Sequence, residues 1–378
     1  MNEANLGFPA NRVFGLLLVL SLFAGCGGGP SNGAPSTHPA SEYLYAANIG
    51  GIAVFLLNPS TGVAGAGRQV SSDFTSVGAS SNVISDPAGK FLFVCTLGDS
   101  IDVFSIDPTN GALSRVPGSP FPVQGSGVGN LAIVPSGKFL YAASTSGLTA
   151  YAVNSSTGVL TAILGSPFTD GSTIRSAVVD PSGKFLYAVG NTTQFTTSIF
   201  AIDSASGALA PITGSPFLSP IQSDAFSVVI HPSGKFLYAG ASLANDIEAC
   251  STAPSTGMLT IVTTSPFVTG NGVTELTITP SGTFLYAINR DDGTVSCFAV
   301  DAASGDLTEV NGSPFQLGAG TGSVTIDPSG QFLYAANSAV TVNMIAEFSI
   351  NAATGALTNF GSFPAEPPIL LTIVKPSP

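Results

Sequence analysis

The chain has 378 residues, 44% of them hydrophobic and only 8% charged, with a formal net charge of −12 and no basic run. That balance argues against nucleic acid and anionic membrane surfaces as partners. With 44 glycines, 27 prolines and no tryptophan, the composition points to many short strands joined by tight turns.

The chain opens on Val13–Ala24, an apolar stretch preceded by Arg12 and followed by Gly25-Cys26. It is too short for a mature membrane-spanning helix and suits the core of a signal peptide. Leu22-Phe23-Ala24-Gly25-Cys26 resembles a bacterial lipobox, with Phe23 where leucine is usual. Residues 1–25 are therefore expected to be a lipoprotein-type signal peptide and Cys26 the lipidated residue, with plain secretion as the alternative. Residues 26–41 have the Gly, Pro and Ser content of a flexible tether, and Gly27 favours the outer membrane. The expected product is a monomer at the bacterial cell envelope, membrane-bound through its lipid alone.

From Glu42 onward one phrase recurs. Its clearest copies are Pro135–Tyr141, Pro181–Tyr187 and Pro232–Tyr238, reading Pro-Ser-Gly-Lys-Phe-Leu-Tyr. Variants stand at Pro87–Phe93, Pro280–Tyr286 and Pro328–Tyr334, and a truncated copy at Tyr43–Tyr45. The central leucines, from Leu44 to Leu333, are spaced by 48, 48, 46, 51, 48 and 48 residues, the length of a four-stranded propeller blade. Within a copy, Asp86-Pro87-Ala88-Gly89 predicts a type I turn, Phe91–Thr96 a strand buried on both faces, and Ile101–Ile106 a third strand. A fourth strand follows near Ala112–Val116. Gly118-Ser119-Pro120-Phe121, echoed in four later copies, reads as an outer crossover whose phenylalanine packs between blades.

The carboxyl-terminal stretch Ile369–Ser377 matches the strand that precedes the Pro-Ser-Gly turn elsewhere, whereas the folded region begins with the strand that follows it. The two ends are thus expected to share a sheet, closing an all-β, single seven-bladed propeller over residues 42–378 and leaving no free edge.

Loops of such blades alternate between two faces. One carries the Pro-Ser-Gly turns with Lys90, Lys138, Lys184 and Lys235. The other is a net acidic axial mouth, where closed β folds usually bind ligands. Five residues before each turn proline stand Asn82, Asn130, Ser176, Ser227, Glu275, Ser323 and Leu371. This axial ring suits a polyhydroxylated ligand, or else satisfies strand ends and channel water. Glu275 and Arg175 are the sharpest pair: a general base on water and a stabiliser of a developing oxyanion, or a plain rim ion pair. Arg290 joins Asn82, Asn130, Ser176, Ser227 and Ser323 as a candidate ligand contact. His231 takes the place of a turn aspartate, and Asp291-Asp292-Gly293 reads as a polar turn. No metal site and no cofactor are expected, and Cys95, Cys250 and Cys297 read as buried free thiols.

The Pro-Ser-Gly-Lys-Phe-Leu-Tyr-Ala and Ser/Thr-Gly-Xaa-Leu phrases resemble those of the seven-bladed lactonase propellers, the group that includes the propeller-type 6-phosphogluconolactonases. The resemblance covers about residues 42–378 and implies hydrolysis of a sugar lactone in the central cleft without an obligatory covalent intermediate. Members often carry histidines six residues before the turn proline. Here those positions hold Ser81, Gly129, Arg175, Phe226, Thr274, Gly322 and Leu370, none of them histidine. The expected function is a lactonase-like hydrolase of a sugar lactone or related ester. The alternative is a non-catalytic propeller that binds a glycan, peptide or protein at the envelope.

Overall fold

The computed structural model describes residues 41–48, 51–71, 82–96, 98–171, 173–190, 196–219, 225–318, 320–339, 342–365 and 370–377. The signal peptide, Cys26, the tether up to residue 40 with His38, Ser81 and Asp224 lie outside the described residues.

The 48-residue period folds as expected into seven antiparallel sheets, the blades. Blade 2 runs outward from Val83–Ser85 through Phe91–Thr96 and Ser100–Ile106 to Leu113–Arg115. The innermost strands of blades 3 to 7 are Leu131–Ile133, Ser176–Val179, Ala225–Ile230, Val273–Ile278 and Thr321–Ile326, and they pack around a common axis. Local chemistry sets each exit from the inner strand. The Gly89 N–H donates to the Asp86 carbonyl at 2.9 Å, while the Asp86 carboxylate accepts the N–H groups of Lys90 at 2.6 Å and Phe91 at 2.7 Å.

Blade 1 is built from both chain ends. Glu42–Asn48 pairs with Gly51–Leu57 on one side and with Leu370–Val374 on the other, Tyr43 lying opposite Val374. Lys375 Nζ donates to the buried Glu42 carboxylate at 3.0 Å, clipping the junction.

The recurring Phe-Leu-Tyr is explained by side-chain alternation on a strand buried on both faces. Phe139 and Tyr141 enter the cluster shared with blade 4, and Leu140 enters the cluster shared with blade 2. The Tyr141 hydroxyl then donates across the interface to the Gly207 carbonyl at 3.0 Å, and Tyr45, Tyr238, Tyr286 and Tyr334 do the same to Gly111, Gly305, Gly355 and Gly62. The Gly-Ser-Pro-Phe phrase is more than a crossover. Its serine hydroxyl accepts a third-strand N–H, as Ser119 does from Val103 at 2.9 Å, and in blade 2 its phenylalanine pairs opposite Ile101. Phe121 packs against the cluster between blades 2 and 3, as the sequence predicts.

The glycine that closes each turn between the third and fourth strands is required twice over. Gly207 has φ +74°, and a Cβ there would lie 2.5 Å from Phe139 Cδ1. Gly207→Ala should therefore lose about 2–4 kcal/mol in chemical denaturation, from left-handed strain plus overpacking. Gly171 has φ +96° with no described atom within 4 Å of a Cβ placed there, so Gly171→Ala is the control for strain alone. Equal losses in the two variants would refute the packing half of the argument.

Candidate active site at the axial mouth

The ring five residues before the turn proline is stitched from blade to blade. Asn82 Oδ1 accepts the Leu131 N–H at 3.4 Å, and Asn130 Oδ1 accepts the Ala177 N–H at 3.1 Å. Ser227 Oγ accepts from Leu276 at 3.1 Å, Glu275 Oε2 from Val324 at 2.9 Å, and Ser323 Oγ from Leu371 at 3.2 Å. Each stitch offers a side-chain oxygen to the first free N–H of the next inner strand, a backbone donor that would otherwise face the channel unpaired. Ser176 is buried at the equivalent place in blade 4. With each oxygen engaged in a joint between blades, the NH2 group of the Asn82 and Asn130 carboxamides is the donor each has left to offer.

One residue earlier the ring changes character. Phe226, Thr274 and Gly322 are each the extra residue of a β-bulge at the start of the inner strands of blades 5, 6 and 7. Bulges re-aim side chains and gather beside functional sites. The Arg175 guanidinium lies over the Phe226 ring, its carbon 3.7 Å from the centroid, in a cation–π contact between blades 4 and 5. Gly129 packs tightly instead, since a Cβ there would lie 2.4 Å from the Arg175 carbonyl oxygen. Arg175 thus leans towards blade 5 and Glu275 towards blade 7, both turning the same way round the ring.

Glu275 is the chemically distinctive member. Its residue keeps partial exposure to the channel, yet the carboxyl is walled in by protein, and burial pushes it up to about 8 against the opposing hydrogen bonds from Val324 and Ser323. Ser323 joins Glu275 to the Leu371 N–H, so the candidate acid/base is held in a fixed direction by two elements.

Other candidates fall elsewhere. Arg290 sits on the loop between the second and third strands of blade 6, in an exposed ion pair with Asp291 at 3.5 Å. The Asp292 carboxylate accepts the Asn271 N–H at 2.7 Å and its amide at 2.9 Å, bracing that rim as a polar turn. His231 Nδ1 accepts the Ser233 N–H at 3.0 Å, and burial pushes the imidazole below its ordinary value, keeping it a neutral turn residue. Cys95, Cys250 and Cys297 are buried and free, and burial pushes Cys95 up to about 12. Sequence reasoning missed the Arg175–Phe226 contact, although the two stand at the same position of consecutive copies. It also passed over Glu248, a carboxyl in the interface of blades 4 and 5 whose protonation burial favours, bonded to the Ser219 hydroxyl.

The family model described as lactonase, 7-bladed β-propeller, matches residues 116–221 and 222–319, more than half of the chain. The chain belongs to that family. Among solved structures, this lactonase-family propeller is similar to a candidate 6-phosphogluconolactonase from Bacteroides fragilis, with TM-score 0.74 and 22% identity over 90% of this chain and all of that one. It is similar, too, to the periplasmic gluconolactonase of Pseudomonas aeruginosa, with TM-score 0.74 and 19% identity over 89% of this chain and all of that one. At these identities the likeness is one of fold. No curated protein matches the lactonase-family chain.

Proposed function

We propose that this propeller is a lactone hydrolase working at the axial mouth on a sugar lactone or related ester. The observation that carries the reading is Glu275: a recessed carboxyl on the ring, oriented by Val324 and Ser323 and shifted to about 8, close to the working pH of a general base. Family membership supports it. Glu275 as carboxylate takes a proton from water as the water oxygen adds to the lactone carbonyl carbon, and the carbonyl electron pair moves to its oxygen. Arg175, with the amide donors of Asn82 and Asn130, stabilises that oxyanion. The pair returns, the ring C–O bond breaks, and the leaving oxygen takes the proton from Glu275 to give the open hydroxy acid. No covalent enzyme intermediate is needed.

Purified protein assayed with gluconolactone and a lactone panel tests the proposal; rates equal to buffer would retire it. Arg175→Ala should lower kcat by about 10²–10³. Arg175→Lys should not restore it, because a guanidinium seated 3.7 Å above the Phe226 ring is replaced by a compact, strongly hydrated ammonium that lacks its planar fork of donors.

A second reading has its own support: five side-chain oxygens of the ring serve the joints between blades, and no histidine stands at the position where family members often have one. On that reading the mouth binds a glycan, peptide or protein without turnover, and a glycan array would register binding lost in Arg175→Ala. The lipobox-like segment ending at Cys26 supports an envelope location for either function, as does the periplasmic relative.

A further inference from the structure

We propose that a hydroxyl-lined cavity between blades 6 and 7, on the turn face opposite the axial mouth, is a second binding site, for an uncharged mono- or disaccharide. It is independent of the hydrolase reading, which concerns the other end of the ring.

The cavity measures about 490 Å³, within the size range of small-molecule sites. Its walls are the Pro-Ser-Gly turns of the two blades, with Ser281 and Thr283 from blade 6 and Ser329 and Gln331 from blade 7. Ala352, on the turn that follows the third strand of blade 7, completes the lining, and the buried Phe284 and Phe332 supply its apolar part.

The repeat shows that the fold does not impose this lining. The residue after the turn glycine is Lys90, Lys138, Lys184 and Lys235 in blades 2 to 5, but Thr283 and Gln331 in blades 6 and 7. The turn itself is the same in both groups. The Gly137 and Gly234 N–H groups donate to the carbonyls three residues back at 2.8 and 2.7 Å, and those of Gly282 and Gly330 at 2.8 and 2.9 Å. Lysine is thus absent from both sides of the joint that holds the cavity, where its long stem and ammonium would enter. No charged side chain lines the cavity among the described residues.

The polar groups select the ligand. The Thr283 hydroxyl donates to Ser281 Oγ at 2.9 Å and the Ser329 hydroxyl to the Asp327 carboxylate, so the Thr283 and Ser329 oxygens keep lone pairs to accept with. The exposed Gln331 carboxamide both donates and accepts. Sugar hydroxyls, which also do both, match that set. An anion would find no cation here. A cation would find no free carboxylate, since Asp327 is occupied by the N–H groups of Gln331 at 2.8 Å and Phe332 at 2.6 Å. An extended peptide would find no strand edge, because Phe284–Asn289 and Phe332–Ala339 are each paired on both sides.

The test is ligand-observed saturation-transfer NMR with maltose, cellobiose and trehalose, each at up to about 10 mM, which reaches millimolar affinities. At least one of the three should give a signal with the native protein, and glucose 6-phosphate and glucosamine should give none. The double variant Thr283→Lys/Gln331→Lys, which grafts on the residue that blades 2 to 5 carry, should lose the signal. Ala352→Arg, from a different wall, should lose it too, whereas Arg175→Ala at the mouth should keep it. Melting curves check that each variant is folded. Silence from all three disaccharides, or a signal that survives both cavity variants, would overturn the site. Loss of the signal in Arg175→Ala would move the sugar to the mouth and overturn it equally. Comparable signals from the charged sugars would overturn the selection of an uncharged ligand. Lactone turnover enters none of these readouts, so the hydrolase reading stands or falls separately.

Discussion

Glu275→Gln is expected to lower kcat/KM on gluconolactone by about 10²–10⁴, the range for a lost general base. The native pH profile should rise about tenfold per unit up to roughly pH 8 and level off above, because only the ionised carboxyl accepts the proton from water. The variant should be slow and flat across that range. Stability supplies an independent readout. The folded value, about 8, lies above the ordinary glutamate value of 4.5, so the folded state holds a proton that the unfolded chain has released. This contribution is fully present below pH 4.5 and is lost as pH rises through 8. Glutamine is neutral throughout, so the native protein should lose stability relative to Glu275→Gln between those limits. If the two unfolding curves stay parallel from pH 4.5 to 8, the carboxyl is not the buried, shifted group described here.

Removal of residues 370–378 should be the most damaging change outside the mouth. It strips blade 1 of its innermost strand, uncovers Leu44, Tyr45 and Ala46 along an unpaired edge, and deletes the buried Leu371 and Val374. It also cuts the Ser323–Leu371 stitch and leaves Glu42 buried without Lys375. Each large buried aliphatic side chain lost costs about 2–5 kcal/mol, a sizeable part of the 5–15 kcal/mol that holds a typical domain together. The exposed strand edge also invites aggregation. Insoluble or molten protein is expected, by sedimentation and near-ultraviolet dichroism. Lys375→Ala, which removes only the clip, should cost measurably less than the truncation but is not silent, because it leaves the buried Glu42 carboxylate without its partner. A truncated chain that melts within a few degrees of the full one would show that the ring does not depend on its closing strand.

The sequence made the scaffold legible where the signal is local or strictly periodic. Asp86-Pro87-Ala88-Gly89 announces its turn because proline and glycine restrict backbone angles within four residues. The spacing of Leu44 to Leu333 counts the blades because each copy repeats the same buried pattern. Even the closure could be read, since Leu370–Val374 is the missing half of the unit that Glu42–Asn48 begins.

The mouth was legible only as a set of positions. That Arg175 would lie on Phe226, that Asn82 would hold Leu131, and that Glu275 would reach Val324 instead of Arg175 are contacts between neighbouring blades, about one repeat apart in the chain. Glu275 and Ser227 occupy the same place in the repeat, but one is a carboxyl that burial pushes up to about 8 and the other a hydroxyl stitch. Bulges at Phe226, Thr274 and Gly322 then re-aim what the period alone would have left in register. Amino-acid order by itself determined the ring, because turn chemistry and alternation act over a few residues. Only the tertiary structure decided which rim atoms are engaged or shifted, because those properties depend on distances around an axis that no single blade contains.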